Sequence, residues 1–530
     1  MPKLFCARKY KSIGLKTFFV LLSITLLCSS GNAQEKNVTL LYTNDIESVY
    51  EPVEAFWNKD ITFIGGLPYL ASLIKQKQKE NPFSFLFDAG DIFTGALSEA
   101  TEGKLPFNIY NSMGYDAIAL GNHEFEYGWA KLAHVKQRAN FPVLNCNIYY
   151  KNTDINFCQS YTILKKHDIK IGLIGVMGLE AFKNTINPSQ REALEVRDPY
   201  PIVQRLVNEI RGEVDLVVLL THQNQSAPMQ TDKEADPEVQ RGFDEDYEMA
   251  GKISGVDVII GGHSDNGLWK PVKHPKTGTL ICLTFGQGKY LGYLNLSINK
   301  EKVTVKNARL IPVDISLLKP EEKVSSLVQQ VRDEHPVLTE ILCKTNKAAY
   351  RKYYRESTLG NLLADILKES SKADIGIMNS GSIRADLNAG NITTENIINI
   401  YPFIGKFHVV EISGQRLKAL LEYSCQLTYG LAQLSGVTIK YDSKRPKGNR
   451  LIEVKVDNKP LDLTKKYTVA SSAFLANGGD GFAMLKNGKL IRKSDRKLMD
   501  YFIDYFRENQ QLTIPPLGRQ IDVSKKPIAL

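Results

Sequence analysis

From residue 34 onward, short apolar runs rich in β-branched residues alternate with longer segments whose apolar positions recur at helical spacing. Val38–Tyr42, Ser84–Phe87, Ala117–Leu120, Lys170–Val176, Leu216–Leu220 and Val256–Ile260 are each four to seven residues long. Runs of that length predict strands buried on both faces. Between the first two, Leu67, Leu70, Ala71 and Ile74 mark one face of a helix that turns Lys/Gln-rich over Lys75–Glu80. The alternation predicts an α/β chain. Gln223–Glu248, dense in Gln, Asp and Glu, predicts a surface loop with partial helix. Beyond Leu318-Lys319-Pro320 the strand pattern stops. Val324, Leu327, Val328 and Val331 predict a helix within Glu321–Leu342, interrupted by Pro336. It reads as a linker, because a second α/β pattern begins near residue 346. There Leu359, Leu362, Leu363, Ile366 and Leu367 share one helical face, ahead of a strand at Asp374–Met378. The expected partition is 34–318, a linker over 319–345, and 346–530, with no internal repeat.

Polar residues gather where the first domain's strands end. Tyr42 is followed by Thr-Asn-Asp45-Ile-Glu47, Phe87 by Asp88-Ala-Gly-Asp91, and Leu120 by Gly-Asn122-His123-Glu124. Leu220 is followed by Thr-His222-Gln, and Ile260 by Gly-Gly-His263-Ser-Asp265. Ligands of α/β sheets bind at the carboxyl ends of the strands. Five strand ends delivering oxygen and imidazole donors to one edge suit a pair of divalent metals. A lone Asp there is usually a turn or cap residue, and a lone His a hydrogen-bonded core residue. It is the five in order that carry the argument. His134, His167, His274, His335 and His408 lack such contexts and read as structural or surface residues.

Composition changes this picture little. The chain has 530 residues, 43% hydrophobic and 24% charged. Those proportions exclude a disordered tail, a coiled coil, a collagen-like chain and a multi-span membrane protein. Lys3, Arg8, Lys9, Lys11 and Lys16 precede an apolar stretch, Phe18 to Cys28, and then the small residues Gly31-Asn32-Ala33. That is the pattern of a signal peptide over 1–33, too short in its apolar part to span a bilayer. Export to the periplasm or the extracellular space is expected, with no transmembrane segment in the mature chain. The formal charge of +9 falls to +4 once those five basic residues are set aside. No basic stripe with interleaved aromatics is left to suggest nucleic acid. Cys146, Cys158, Cys282, Cys343 and Cys425 remain after residue 33, an odd number without a CxxC pair. Buried free thiols are expected for most of them, with a Cys146–Cys158 bridge as the open alternative.

The series Asp45-x-Glu47, Gly90-Asp91, Gly121-Asn-His-Glu124, His222 and Gly262-His-x-Asp265 resembles the calcineurin-like metallophosphoesterase superfamily. Within it, the resemblance is to the secreted 5′-nucleotidase family, which also includes UDP-sugar hydrolases and 2′,3′-cyclic phosphodiesterases. It extends over residues 38–520 through Tyr354-Arg-Glu-Ser-Thr-Leu-Gly-Asn-Leu-Leu-Ala-Asp365, Asn379-Ser-Gly-Ser-Ile-Arg384, Tyr401-Pro-Phe403 and Phe474-Leu-Ala-Asn-Gly-Gly-Asp-Gly481. The resemblance implies a four-layer catalytic sandwich, a linker helix and a C-terminal α/β nucleotide-binding domain. It implies a hydrolase that releases phosphate from nucleoside 5′-monophosphates by dimetal-activated water. Nucleotide-sugar and cyclic-nucleotide cleavage are the alternative activities, and a non-catalytic nucleotide-binding relative is the rival from another class.

Carried over, one metal takes Asp45, Glu47 and Asp91 with help near Asp265. The other takes Asp91, Asn122, His222 and His263. His123 stabilises the transferring group, oriented by Glu126. Arg384 meets phosphate, with Arg355 or Arg351 adding charge. Phe403 and Phe474 sandwich the base, and Asn379 and Asp480 hydrogen-bond base and ribose. The chain departs from the family at Glu47, usually His, and at Asp265, usually Gln, Asn or His. A site of carboxylates alone favours Mg²⁺, Mn²⁺ or Ca²⁺ over Zn²⁺. The expectation is a mixed pair, one position carboxylate-rich and one imidazole-containing, unless Glu47 points away and the first metal is weak.

Overall fold

The computed structural model describes residues 35–55, 57–224, 243–299 and 302–524. The expected signal peptide and most of the polar stretch after Gln223 lie outside the described residues.

Two six-stranded sheets form the centre of the first domain. One runs in the order Lys302–Pro312, Tyr290–Asn299, Lys36–Thr43, Ser84–Asp88, Ala117–Ala119, Val143–Leu144. The other runs Val272–Lys273, Leu280–Cys282, Val258–Gly262, Leu216–His222, Ile169–Met177, Tyr161–Lys166. The strands carrying the polar loops are parallel to their loop-bearing neighbours, so those loops emerge at a common edge. Side chains alternate across each sheet. Leu40, Tyr42, Phe85 and Phe87 meet Leu173, Val218, Leu220 and Ile260 in the core between the sheets. Leu41, Leu86 and Ile118 instead face the helix Leu67–Glu80 through Leu70 and Ile74. On the far side, Val217, Leu219 and Ile259 cover Val203, Leu206 and Ile210 of the helix Pro199–Ile210. The result is helix, sheet, sheet, helix.

The linker helix is shorter than the stretch Glu321–Leu342. It covers Glu322–Glu334 and buries Val324, Val328 and Val331. The residue before a proline is driven out of the helical region. His335 accordingly sits at φ −126°, ψ 65°, Pro336–Thr339 form a 3-10 turn, and Ile341–Thr345 is a strand paired with Gly390–Thr393. In the second domain the helix Thr358–Ser371, capped by the Ser357 side chain on the Gly360 N–H, buries its apolar face. It packs on a five-stranded sheet, Gln433–Ser435, Ile375–Met378, Lys466–Ser472, Lys406–Ser413 and Lys489–Lys497. The five described cysteines are all buried and free. Cys146 lies in the core under the second sheet and Cys158 in the core that continues into the second domain.

The domains meet along several polar contacts. Arg332 of the linker helix donates to both carboxylate oxygens of Glu395, at 3.0 and 2.8 Å, and to Glu51 at 2.8 Å. Tyr429 donates to Glu180 (3.0 Å), Lys497 to Glu99 (2.7 Å), and the Ala96 N–H to Asn399 (2.9 Å).

Candidate metal centre and adjoining cavity

The strand-end loops are tightly wound. Asp45, Glu47, Ser48, Asp91, His263 and Asp265 all hold left-handed backbone, with φ between 49° and 80°. Such conformations cost of order 1–3 kcal/mol each and gather at functional sites. The loops are then tied together through backbone groups. The Asp45 N–H donates to the Gly90 carbonyl and the Glu47 N–H to the Asp91 carbonyl. Asp45 in turn accepts from the His263 N–H at 2.8 Å.

Asp91, His222 and His263 form one buried group with ligating atoms close enough to share a cation. The His222 Nδ1–H donates to the Ala89 carbonyl at 2.9 Å, which aims Nε2 at Asn122 Oδ1 (3.0 Å) and Asp91 Oδ2 (3.1 Å). Three lone-pair donors converge on one point, and only a cation or a proton satisfies them. Burial opposes charging His222, yet Asp91 and Asp45 hold it up to about 9. Burial and the neighbouring His222 push His263 down to about 3, leaving a neutral imidazole suited to coordination. The donor set therefore fits a metal ion.

Glu47, Asp91 and His123 form the second group. Glu47 is 3% exposed and turns inward, its Oε1 lying 3.6 Å from His123 Nε2. His123 Nδ1–H donates to Glu126 Oε1 at 2.5 Å, and that oxygen also accepts from Thr94 at 2.9 Å. Burial would discharge His123, but Asp91 and Glu126 outweigh it and hold the ring up to about 10. Burial and Asp45 push Asp265 up to about 7. Asp45 and Asp265 belong to neither tight group. Asp45 spends both oxygens on N–H donors, from His263 on one side and Asn44 and Asp265 on the other. A guanidinium from the second domain enters here: Arg384 contacts Glu47 and lies 3.9 Å from Asp265.

Two residues that sequence reasoning left without a role, Glu124 and Asp246, shape this centre, and a third, Lys289, lies on the wall of the adjoining cavity. Glu124 accepts backbone N–H groups from Gly121 (2.5 Å), Asp91 (3.1 Å), Ile92 (2.7 Å) and Phe93 (3.2 Å), so one carboxylate fixes two metal loops. Its place in the Gly-Asn-His-Glu run was the available signal. Asp246, within the stretch expected on the surface, is fully buried and accepts from Thr221, Gln223 and Asn224 around His222. Lys289 is 3% exposed. Burial, with Arg351 beside it, pushes its ammonium down to about 7.

In the second domain Asn379 donates to Asp480 at 2.8 Å, and Tyr423 donates to the Asp480 carbonyl. The Phe403 ring lies 6.4 Å from His123 and 5.4 Å from Tyr401. Phe474 is partly buried and packs against the second domain's core, with Gly479 close to its ring. Arg355 bears on Tyr441 of the strand Val437–Tyr441, whereas Arg351 lines the interdomain cavity. Of those two arginines, Arg351 is the one beside Arg384. A cavity of about 720 Å³ opens between the domains at Glu47, walled by Tyr50, Trp57, Lys289, Arg351 and Arg384. Asn379, Phe403, Phe474 and Asp480 are not among its walls.

Residues 39–266 match the calcineurin-like phosphoesterase family and residues 336–487 the 5′-nucleotidase C-terminal domain. The chain is 29% identical over 521 residues to a 5′-nucleotidase of Bos taurus, covering 87% of each. It is 28% identical over 541 residues to a snake venom 5′-nucleotidase of Gloydius brevicauda, covering 91% of this chain and 88% of that one. A solved 5′-nucleotidase precursor from Thermus thermophilus superposes with a TM-score of 0.80 at 24% identity, over 93% of this chain and 100% of that one. The Thermus sulfate thiohydrolase SoxB superposes at 0.76 with 19% identity, over 92% and 97%. These two likenesses concern the fold.

Proposed function

From a chain that belongs to the family joining a calcineurin-like phosphoesterase domain to a 5′-nucleotidase C-terminal domain, and so is a hydrolase of phosphoester bonds, we propose a nucleoside 5′-monophosphate phosphohydrolase. The observation that carries this reading is Arg384. It belongs to the second domain yet lies against the acidic centre of the first. A guanidinium offers paired donors to phosphoryl oxygens, so the two domains close on a phosphate group.

Asp91, Asn122, His222 and His263 would hold one divalent cation, and Asp45, Glu47 and Asp91, with Asp265 nearby, a second. Bound there, such ions supply charge to the phosphoryl oxygens and acidify a water. The carboxylate-rich position favours Mg²⁺, Mn²⁺ or Ca²⁺, and the imidazole-containing one also suits Zn²⁺. The chain's own groups do the rest. His123 keeps a proton at Nε2 while Glu126 fixes Nδ1, a general-acid arrangement for a leaving oxygen. Phe403 and Phe474 offer faces for a base, and Asn379 and Asp480 offer hydrogen bonds to the nucleoside. The catalytic domain is residues 34–318, the linker 319–345 and the substrate domain 346–530. Residues 1–33 direct export; among the described residues no helix is long and apolar enough to cross a membrane.

The test is phosphate release by the metal-stripped chain with Mg²⁺, Mn²⁺, Ca²⁺, Co²⁺ or Zn²⁺ restored singly and in pairs. Orthophosphate from 5′-AMP is expected with an oxygen-preferring ion present. Turnover confined to UDP-glucose or a 2′,3′-cyclic nucleotide would move the substrate class. A folded protein inert with every ion, yet binding nucleotide, would overturn the enzymatic reading of this chain.

A further inference from the structure

The interdomain cavity holds a buried lysine whose ammonium reaches no carboxylate directly among the described residues; Asp265 and Asp386 attract it only at a distance. Lys289 precedes the strand Tyr290–Asn299 and is 3% exposed. Among the described residues its ammonium forms no ion pair or hydrogen bond. Its recorded neighbour is the Trp57 ring, 5.6 Å from the centroid. A buried ammonium with no bonded counter-charge is costly, and a second cation beside it, Arg351, adds repulsion. None of the nearby carboxylates bonds the ammonium directly, and each has another partner. Asp386 accepts the Arg351 backbone N–H at 2.7 Å, Asp265 faces Arg384, and Glu51 and Glu395 are taken by Arg332. The volume of about 720 Å³ lies within the range of small-ligand sites. A buried lysine and a half-buried arginine on the wall of a roomy cavity are complementary to an anion with several oxygens. Because Glu47 lines the same cavity, that anion sits next to the phosphoryl centre rather than at the aromatic nucleoside site.

We infer that this cavity is a second oxyanion subsite, built on Lys289 and Arg351, which holds a phosphate group other than the one being cleaved. The inference rests on the phosphoesterase reading above. The phosphate is either released orthophosphate or a second phosphoryl group of a substrate with two.

The experiment uses the metal-loaded full chain as wild type, Lys289→Met and Lys289→Arg. Orthophosphate is expected to raise the melting temperature of the wild type and of Lys289→Arg, and to do so much less in Lys289→Met. If the source is released phosphate, Lys289→Met raises the orthophosphate inhibition constant against 5′-AMP by about tenfold, with kcat for 5′-AMP within about twofold of wild type. If it is a second substrate phosphate, the inhibition constant holds and kcat/KM for a nucleoside 3′,5′-bisphosphate falls about tenfold relative to 5′-AMP. The inference is overturned if orthophosphate stabilises Lys289→Met as much as wild type and neither kinetic ratio moves. It is also overturned if kcat for 5′-AMP falls as far as those ratios change. The melting shift needs no turnover, so an inert enzyme that still shows a Lys289-dependent shift would sink the function and spare the subsite.

Discussion

His123 is held among Glu126, Asp91 and Glu47, and its protonation belongs to that set of carboxylates rather than to the ring alone. Glu126 touches no other side chain of the metal groups, so it acts by positioning His123. Glu126→Gln keeps a hydrogen-bond acceptor but removes the charge. Turnover of 5′-AMP is expected to fall about 100-fold. The alkaline limb of the kcat profile should also move to lower pH, since a raised histidine pKa relaxes toward its ordinary value when its carboxylate is lost. A uniform loss with an unmoved limb would assign Glu126 a purely structural role. Glu47 turns inward, toward His123 and Arg384. What no residue-level reading could supply was Arg384 against Glu47, because the pairing spans two domains.

The elements follow the apolar pattern closely where a strand is buried on both faces, since burial writes itself as a continuous run. The parallel strands under Asp45, Asp91, His222 and His263 were therefore legible, as was the helix Thr358–Ser371. The linker was less so: Leu342 fits helical spacing, but Pro336 hands it to a strand. Legible least of all was how neighbouring loops interlock. Glu124 and Asp246 act by accepting hydrogen bonds in three dimensions, and of Arg351 and Arg355 it is Arg351 that lines the interdomain cavity. Gly121 shows how close the loops come. A Cβ there would lie 2.7 Å from His222 Cε1 and closer still to Asp91 Oδ1. Gly121→Ala is expected to cost about 1–3 kcal/mol and to lower metal content measured on the purified protein, with the fold retained by circular dichroism. Full metal content in that variant would mean the two loops can part without harm.

At the scale of the molecule, the side of the interface near Asn379 and Asp480 is acidic. Glu180 bonds Tyr429 across the seam and acts on both Glu245 and Asp480. Burial, reinforced by Glu180, raises Asp480 to about 7, and burial with Glu180 raises Glu245 to about 8. Both folded values exceed the ordinary carboxyl values. Their contribution to stability is thus complete below the unfolded pKa and lost as pH rises through 7 to 8. The protein's melting temperature is expected to fall from the ordinary carboxyl range, about pH 4, up to about pH 8 and then level off, and Asp480→Asn should flatten the fall. An equal slope in wild type and variant, followed by differential scanning fluorimetry, would remove Asp480 from the account.

The left-handed turns at Asp45, Asp91, His263 and Asp265 impose a trade on any effort to evolve or engineer this protein. Glycine is the residue that such backbone prefers, so glycine at these positions would relax the loops and harden the fold. It would also erase the donor atoms that give the loops their use. Selection for thermal endurance and selection for turnover accordingly pull these few positions in opposite directions, and a library screened for stability alone should drift toward well-folded, silent variants there.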